Sequence, residues 1–165
     1  MRYRVYLASL HNGRTMAHVL SVPGCFAQGP TPEEALARTP AAIAEALDWL
    51  RRCGEPAPAP HEAIELEVVH QVLNKRAGED VIGFFPGEEI PVPADEVPRF
   101  LRLMGHSRRE LLSLVQSLDE AELDARPGGR GWSIRYILRH VAAAELWYLT
   151  RIHGAGTLPR QRPAR

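Results

Sequence analysis

Large apolar groups recur at every second position in Arg2-Tyr3-Arg4-Val5-Tyr6-Leu7-Ala8, which puts Tyr3, Val5 and Leu7 on one face of a half-buried strand. His11-Asn12-Gly13 is a turn signal, because Asn-Gly tolerates positive φ at both central hairpin positions, so Thr15 to Val22 reads as the returning strand. Cys25 to Gln28 is a short third strand. From Thr31 the apolar spacing changes to that of a helix, with Leu36, Ile43, Leu47 and Leu50 as one stripe facing a sheet. Its start chemistry is complete: Thr31 caps, Pro32 stands where its missing N–H costs nothing, and Glu34 is placed to reach back to the cap's backbone N–H. Pro40 inside it predicts a kink or weak turn. Alternation returns at Ile64, Leu66 and Val68, interleaved with Glu65 and Glu67, as a last strand.

Beyond this the pattern is helical. A loop rich in Gly, Pro and acids, Ala77 to Pro93, leads to a helix with Asp95 as cap and Pro98 in its first turn. Its stripe is Val97, Leu101, Met104, Leu111, Val115 and Leu118. Asp119 to Leu123 adds a short turn, Pro127-Gly128-Gly129 breaks the chain, and Ser133 caps a second helix striped by Ile134, Ile137, Val141, Tyr148 and Ile152 and stopped by Gly154. The expected organisation is an α+β domain over 1–76, an acidic Gly/Pro-rich connection over 77–94, a helical pair over 95–154 and a disordered tail over 155–165.

Composition changes this picture in two places. The 165 residues carry no net formal charge, yet 1–54 sum to plus two, 55–96 to minus eight and 97–165 to plus six. The acidic middle and basic end are either two faces for different partners, a mutually attracting pair, or solvated surface. No basic n-region with an apolar h-region opens the chain and no apolar run reaches a membrane span, so a cytoplasmic protein without membrane contact is expected. Cys25 and Cys53 are too few for a disulfide framework and stand in no C-x-x-C pair.

The run Ser21-Val22-Pro23-Gly24-Cys25-Phe26-Ala27-Gln28-Gly29-Pro30-Thr31-Pro32-Glu33-Glu34-Ala35-Leu36 resembles the core signature of the HicB-like antitoxin domain, with Pro23, Gly24, Phe26, Gly29, Thr31 and Glu34 as its structural motif. Gly54-Glu55-Pro56-Ala57-Pro58-Ala59-Pro60 is similar to that family's connection into its last strand, and so reads as internal to the domain. The resemblance covers about residues 1–73. It implies a βββαβ order, one helix on a small mainly antiparallel sheet, a shortened ribonuclease H-like fold without catalytic carboxylates. It also implies a partner, a HicA-type RNA-cleaving toxin. The DNA-binding segment usual in such antitoxins has no counterpart here, which leaves DNA binding and autoregulation open.

Residues 131–145, Gly-Trp-Ser-Ile-Arg-Tyr-Ile-Leu-Arg-His-Val-Ala-Ala-Ala-Glu, resemble the opening half of DinB-like proteins, helical bundles that often hold a divalent metal on three histidines. This second resemblance covers about 95–153 and makes the C-terminal part a two-helix DinB-like hairpin with Trp132 and Ser133 as its motif. Of the metal triad only His140 has a counterpart, since the other two ligands come in that family from a later His-x-x-x-His helix.

His140 reads as a metal ligand or as a packed histidine near Ile137 and Val141. His61, His70, His106 and His153 have no partner at ligand spacing, and Cys25 reads as a buried thiol before it reads as a nucleophile. Arg126, Arg130, Arg135 and Arg139 could touch a phosphate backbone or solvate a helix face, and nucleic acid is the less favoured partner. The sequence therefore points to a non-catalytic HicB-like antitoxin or regulatory protein that binds a partner protein and needs no cofactor. The alternative is a DinB-like metal-dependent hydrolase or thiol transferase, with zinc or nickel in a site completed by another subunit; a stand-alone regulatory module is a third reading. A homodimer through the C-terminal helices is expected, because each stripe covers only part of the other.

Overall fold

The structure is a computed structural model and describes residues 1–59, 63–73, 85–86, 90–129 and 131–150. The chain divides into two compact units, Met1–Leu103 and Met104–Arg165.

The first unit is α+β. Strands β1 (Arg2–Ser9), β2 (Thr15–His18) and β3 (Phe26–Gly29) precede helix α1 (Pro32–Arg52), and β4 (Glu65–Leu73) follows it. The sheet order is β3-β2-β1-β4, with both hairpin pairs antiparallel and β4 parallel to β1. The expected βββαβ order and mainly antiparallel sheet are therefore present. The first hairpin differs from the expected turn. Only Gly13 has positive φ (87°), Gly13 N–H donates to Leu10 O at 3.0 Å, and the three-residue loop is a type I turn closed by a left-handed glycine.

β2 ends at His18, short of the expected Val22. The chain folds back there through two turns, Val22 N–H donating to Val19 O and Cys25 N–H to Val22 O, both at 3.0 Å. This drives Val22 into the core and starts β3 at Phe26, one residue later than the alternation suggests. Helix α1 runs unbroken through Pro40. Pro40 removes one main-chain donor, and beside it the buried Thr39 hydroxyl donates to Ala35 O at 2.9 Å. The helix ends in a Schellman motif: Gly54 (φ 76°) donates to Arg51 O at 3.0 Å and Glu55 N–H to Leu50 O at 2.9 Å.

One face of the sheet packs on α1. Tyr3, Val5 and Leu7 meet Ala35, Ile43, Leu47 and Leu50, with Leu36, Ile64 and Leu66 partly buried at the margin. β1 is nevertheless buried on both sides, because Tyr6 and Ala8 pack on the opposite face with Phe85, Val69 and Val72. An irregularity in the β1/β4 ladder between Val5 and Tyr6 shifts the later residues of β4, so that Val72 joins Ala8 on this second face. Val5 pairs with Val68 but Tyr6 with His70, so Val69 is the extra residue and the alternation changes phase. Val68, expected in the core stripe, lies before this irregularity opposite Val5 and is 45 % exposed because β4 is the edge strand.

Helix α2 (Val97–Val115) begins one turn after Pro93. Phe100 N–H donates to Glu96 O, so Glu96 and not Asp95 is the residue before the first turn, and Pro98 is tolerated within that turn. The face turned to the core also differs from the expected stripe. Leu103 is buried while Val97, Leu101 and Met104 are exposed. Arg99, Arg102 and Leu103 share one face of a helix, and both arginines are held by Glu55, which orients Leu103 inward.

The second unit holds the rest of α2, a short α3 (Glu120–Asp124), a 3-10 turn at Pro127–Gly129 and α4 (Ile134–Leu149). Asp119 and Glu122 form a reciprocal capping box on α3. Ser133 caps α4 as expected, accepting from Tyr136 N–H at 3.2 Å, and Thr150 closes it. Ile152, Gly154 and the tail 155–165 lie outside the described residues. Arg135 joins α4 to α3 through Asp124 (2.7 Å) and Glu120, and Arg108 joins α2 to Glu145 at 2.6 Å.

Candidate functional site

The junction from β3 into α1 is built by its motif residues. Gly24 takes φ 73°, which an L side chain disfavours, and the chain reverses there. Gly29 is required for a different reason: a Cβ on it would stand 2.6 Å from Ala35 N and 2.9 Å from the Glu34 backbone, so the strand lies directly against the first helical turn. Thr31, in extended backbone, accepts from Glu34 N–H at 3.3 Å. The reciprocal contact expected of Glu34 is replaced. Its carboxylate pairs with Arg38 at 3.2 Å, and Arg38 also donates to Gln28 O at 2.9 Å, tying β3 to the helix. Glu33 lies on the cap instead, its carboxyl lowered by its own backbone N–H and then by the Thr31 hydroxyl. Pro23 is half-buried and Phe26 is exposed on the sheet face away from α1.

On that face the register lines up four rings across all four strands. His18 pairs with Phe26 and with Tyr6, and Tyr6 pairs with His70. Phe85 sits over the middle, its ring 5.4 Å from Tyr6, 5.2 Å from His18 and 6.2 Å from His70, and is 1 % exposed. Arg4 lies 5.9 Å from the Tyr6 ring centre. Phe26, 6.3 Å from His18, continues the row to the open edge of β3. Sequence reasoning missed Phe85, although an aromatic in a stretch of glycines, prolines and acids is the signal that could have found it.

Glu55 is the second residue it missed. Its carboxylate is buried and receives Arg99 Nε and Arg102 Nε at 3.1 Å each. Burial pushes its pKa up, but the hydrogen bonds and charges of Arg102 and Arg99 outweigh that and hold it below the usual carboxylate range. The Gly-Glu-Pro connection thus anchors the start of α2 as well as leading to β4.

In the second unit, the Trp132 ring lies against those of Tyr136 and His140, with centroids 4.7 Å and 4.9 Å away and the planes tilted by 58° and 57°. His140 is exposed in this group of rings, not packed inside. Among the described residues no three His, Cys, Asp or Glu side chains are grouped to hold a metal. His106 meets Arg109 at 2.9 Å, and His61, His153 and Arg130 lie outside the described residues. Arg135 is engaged with Asp124 and Glu120, which raise its pKa, while Arg126 and Arg139 are exposed. The Cys25 thiol is buried and pushed up to about 11 by desolvation, which keeps it protonated at neutral pH and removes it as a nucleophile.

The helical geometry has a counterpart in a known family. Residues 104–165 match the family model of the DinB superfamily. This DinB-like region coincides with the second unit and includes the Trp132-Ser133 entry to α4 and His140. No curated protein and no solved structure matches the chain. No described helix is long and apolar enough to cross a membrane.

Proposed function

We propose that the chain is a non-catalytic binding protein, a HicB-like antitoxin or regulator that sequesters a small RNA-cleaving protein of the HicA type. One observation carries the reading: a β3-β2-β1-β4 sheet with β4 parallel to β1 and a single helix between β3 and β4, entered through the Pro23–Glu34 junction. This is the order implied by the HicB resemblance and by a shortened ribonuclease H-like fold. β1, Arg2–Ser9, carries no carboxylate with which such a fold could bind a catalytic metal. Residues 55–96 sum to minus eight, which suits a basic, RNA-handling partner, although on β4 itself Glu65 and Glu67 stand opposite Arg2 and Arg4 of β1. Nucleic acid itself is the weaker candidate, since Arg135 is already neutralised within its own unit.

The test is to co-express the chain with the product of a small neighbouring reading frame and follow RNA cleavage. Inhibition at equimolar ratio, with a stable complex on size separation, is expected. Cleavage unaffected by excess chain overturns the proposal.

The DinB match favours a second reading, a metal-dependent hydrolase or thiol transferase whose ligands are completed by another subunit. It requires a stoichiometric divalent metal such as zinc or nickel that departs when His140 is replaced.

A further inference from the structure

Helix α4 has two apolar sides, and the second unit uses one of them. Leu138 and Leu146 are half-buried beside Arg135 and Glu145, the residues that reach α3 and α2. The other side carries Ile137, Val141, Ala144 and Tyr148, at steps of four, three and four residues. That is the spacing of a knobs-into-holes seam between two helices. Ile137 is 43 % exposed, Val141 40 % and Tyr148 68 %, and no Asp, Glu, Lys or Arg interrupts the four positions. Among the described residues of this unit not one apolar side chain is fully buried, only Ser133.

We infer that the seam is closed by a second copy of this chain, in an antiparallel α4–α4 pair. The seam is complementary to itself in that direction. A two-fold axis crossing between Val141 and Ala144 sets Val141 against Ala144 of the partner subunit, and Ile137 against Tyr148 of the partner subunit. Each branched side chain then meets either a small residue or a flat ring, which is what interdigitation at close helix spacing requires.

The rings of Trp132, Tyr136 and His140 lie toward the N-terminal end of α4, and Trp147 packs on the seam residue Tyr148 near its other end, centroids 5.0 Å apart. Antiparallel pairing brings the first group of rings of one copy beside the Trp147–Tyr148 pair of the other. The area is sufficient. With aromatic side chains offering about 150–250 Å² each and roughly half of that exposed here, the face leaves on the order of 600 Å² per copy, or about 1,200 Å² in all, where stable interfaces begin. This inference is independent of the antitoxin reading, because it concerns only the DinB-like unit.

Light scattering on the size-separated full chain at micromolar concentration tests it. The expected mass is about twice 18.4 kDa. Ile137→Asp should return a single-chain mass with helical circular dichroism retained. Tyr148→Ala, at a position too exposed to cost folding, should raise the dissociation constant roughly tenfold or more, the loss expected of an interface aromatic. Leu114→Asp, at an exposed position on α2 and not on α4, should leave the dimer intact. A single-chain mass for the unaltered protein, the result if residues 151–165 or a different protein covered the seam, overturns the inference. So does a dimer indifferent to both Ile137→Asp and Tyr148→Ala, or one lost equally in Leu114→Asp.

Discussion

Replacing Gly29 by alanine probes how closely β3 lies on α1, and the size of the effect follows from three distances. The added methyl would stand 2.6 Å from Ala35 N, 2.9 Å from Glu34 C and 2.9 Å from Glu34 Cβ. None of these atoms is the end of a flexible side chain. The first turn of α1 has to move by the better part of an ångström, and that turn carries the Thr31 cap and the Glu34–Arg38–Gln28 tie. Overpacking against backbone belongs at the upper end of its usual range, about 2–3 kcal/mol.

Gly24 supplies the control, since its φ is 73° but nothing lies within 4 Å of an added Cβ. Gly24→Ala should cost only the left-handed backbone penalty, about 1 kcal/mol. In urea titrations with slopes of about 1–3 kcal/mol per molar, Gly29→Ala should lower the midpoint by roughly 1 M and Gly24→Ala by clearly less, with slopes unchanged. The reasoning fails if Gly29→Ala costs no more than Gly24→Ala, because the strand and helix would then have room that these distances deny.

Three further outcomes follow from the site. Burial raises Cys25 from an ordinary 9.0 to about 11, so the unfolded chain ionises first and stability contributed by the neutral thiol should fall as pH rises from 9 towards 11; Cys25→Ala should flatten that alkaline slope in denaturation midpoints, and an identical slope would count against it. Glu55 is held below its ordinary 4.5, so its contribution is present above that value and is lost on acidification; Glu55→Gln should weaken the acid dependence and speed amide exchange in the first turns of α2, and unchanged exchange would show that the two arginines are not anchored through it. Protein purified without added metal should hold well under one equivalent of zinc, nickel or iron by elemental analysis, because a lone exposed imidazole binds such ions weakly; stoichiometric metal lost in His140→Ala would favour the enzyme reading.

The sequence by itself determined what depends on neighbours along the chain. The alternation of Tyr3, Val5 and Leu7, the helical stripe Ile43, Leu47 and Leu50, the Thr31 and Ser133 caps and the Asp119 turn all appear where the residues place them. Each is set within a few residues by side-chain direction or by an orphan backbone donor. The DinB-like character of the second unit was legible for the same reason, in the contiguous run from Trp132 to Glu145. Tertiary structure decided everything that needed a distant partner. The irregularity between Val5 and Tyr6 reverses which residues in the second half of β4 face α1, and only the β1 ladder shows it. Phe85 reads as loop until Tyr6, His18 and His70 are brought together beneath it. Glu55 reads as a solvated linker acid until Arg99 and Arg102 arrive from more than forty residues away. That last pairing also rotates α2 so that Leu103, rather than Leu101 or Met104, enters the core: periodicity specifies that a helix has an apolar side, but long-range charge pairing selects which side is used.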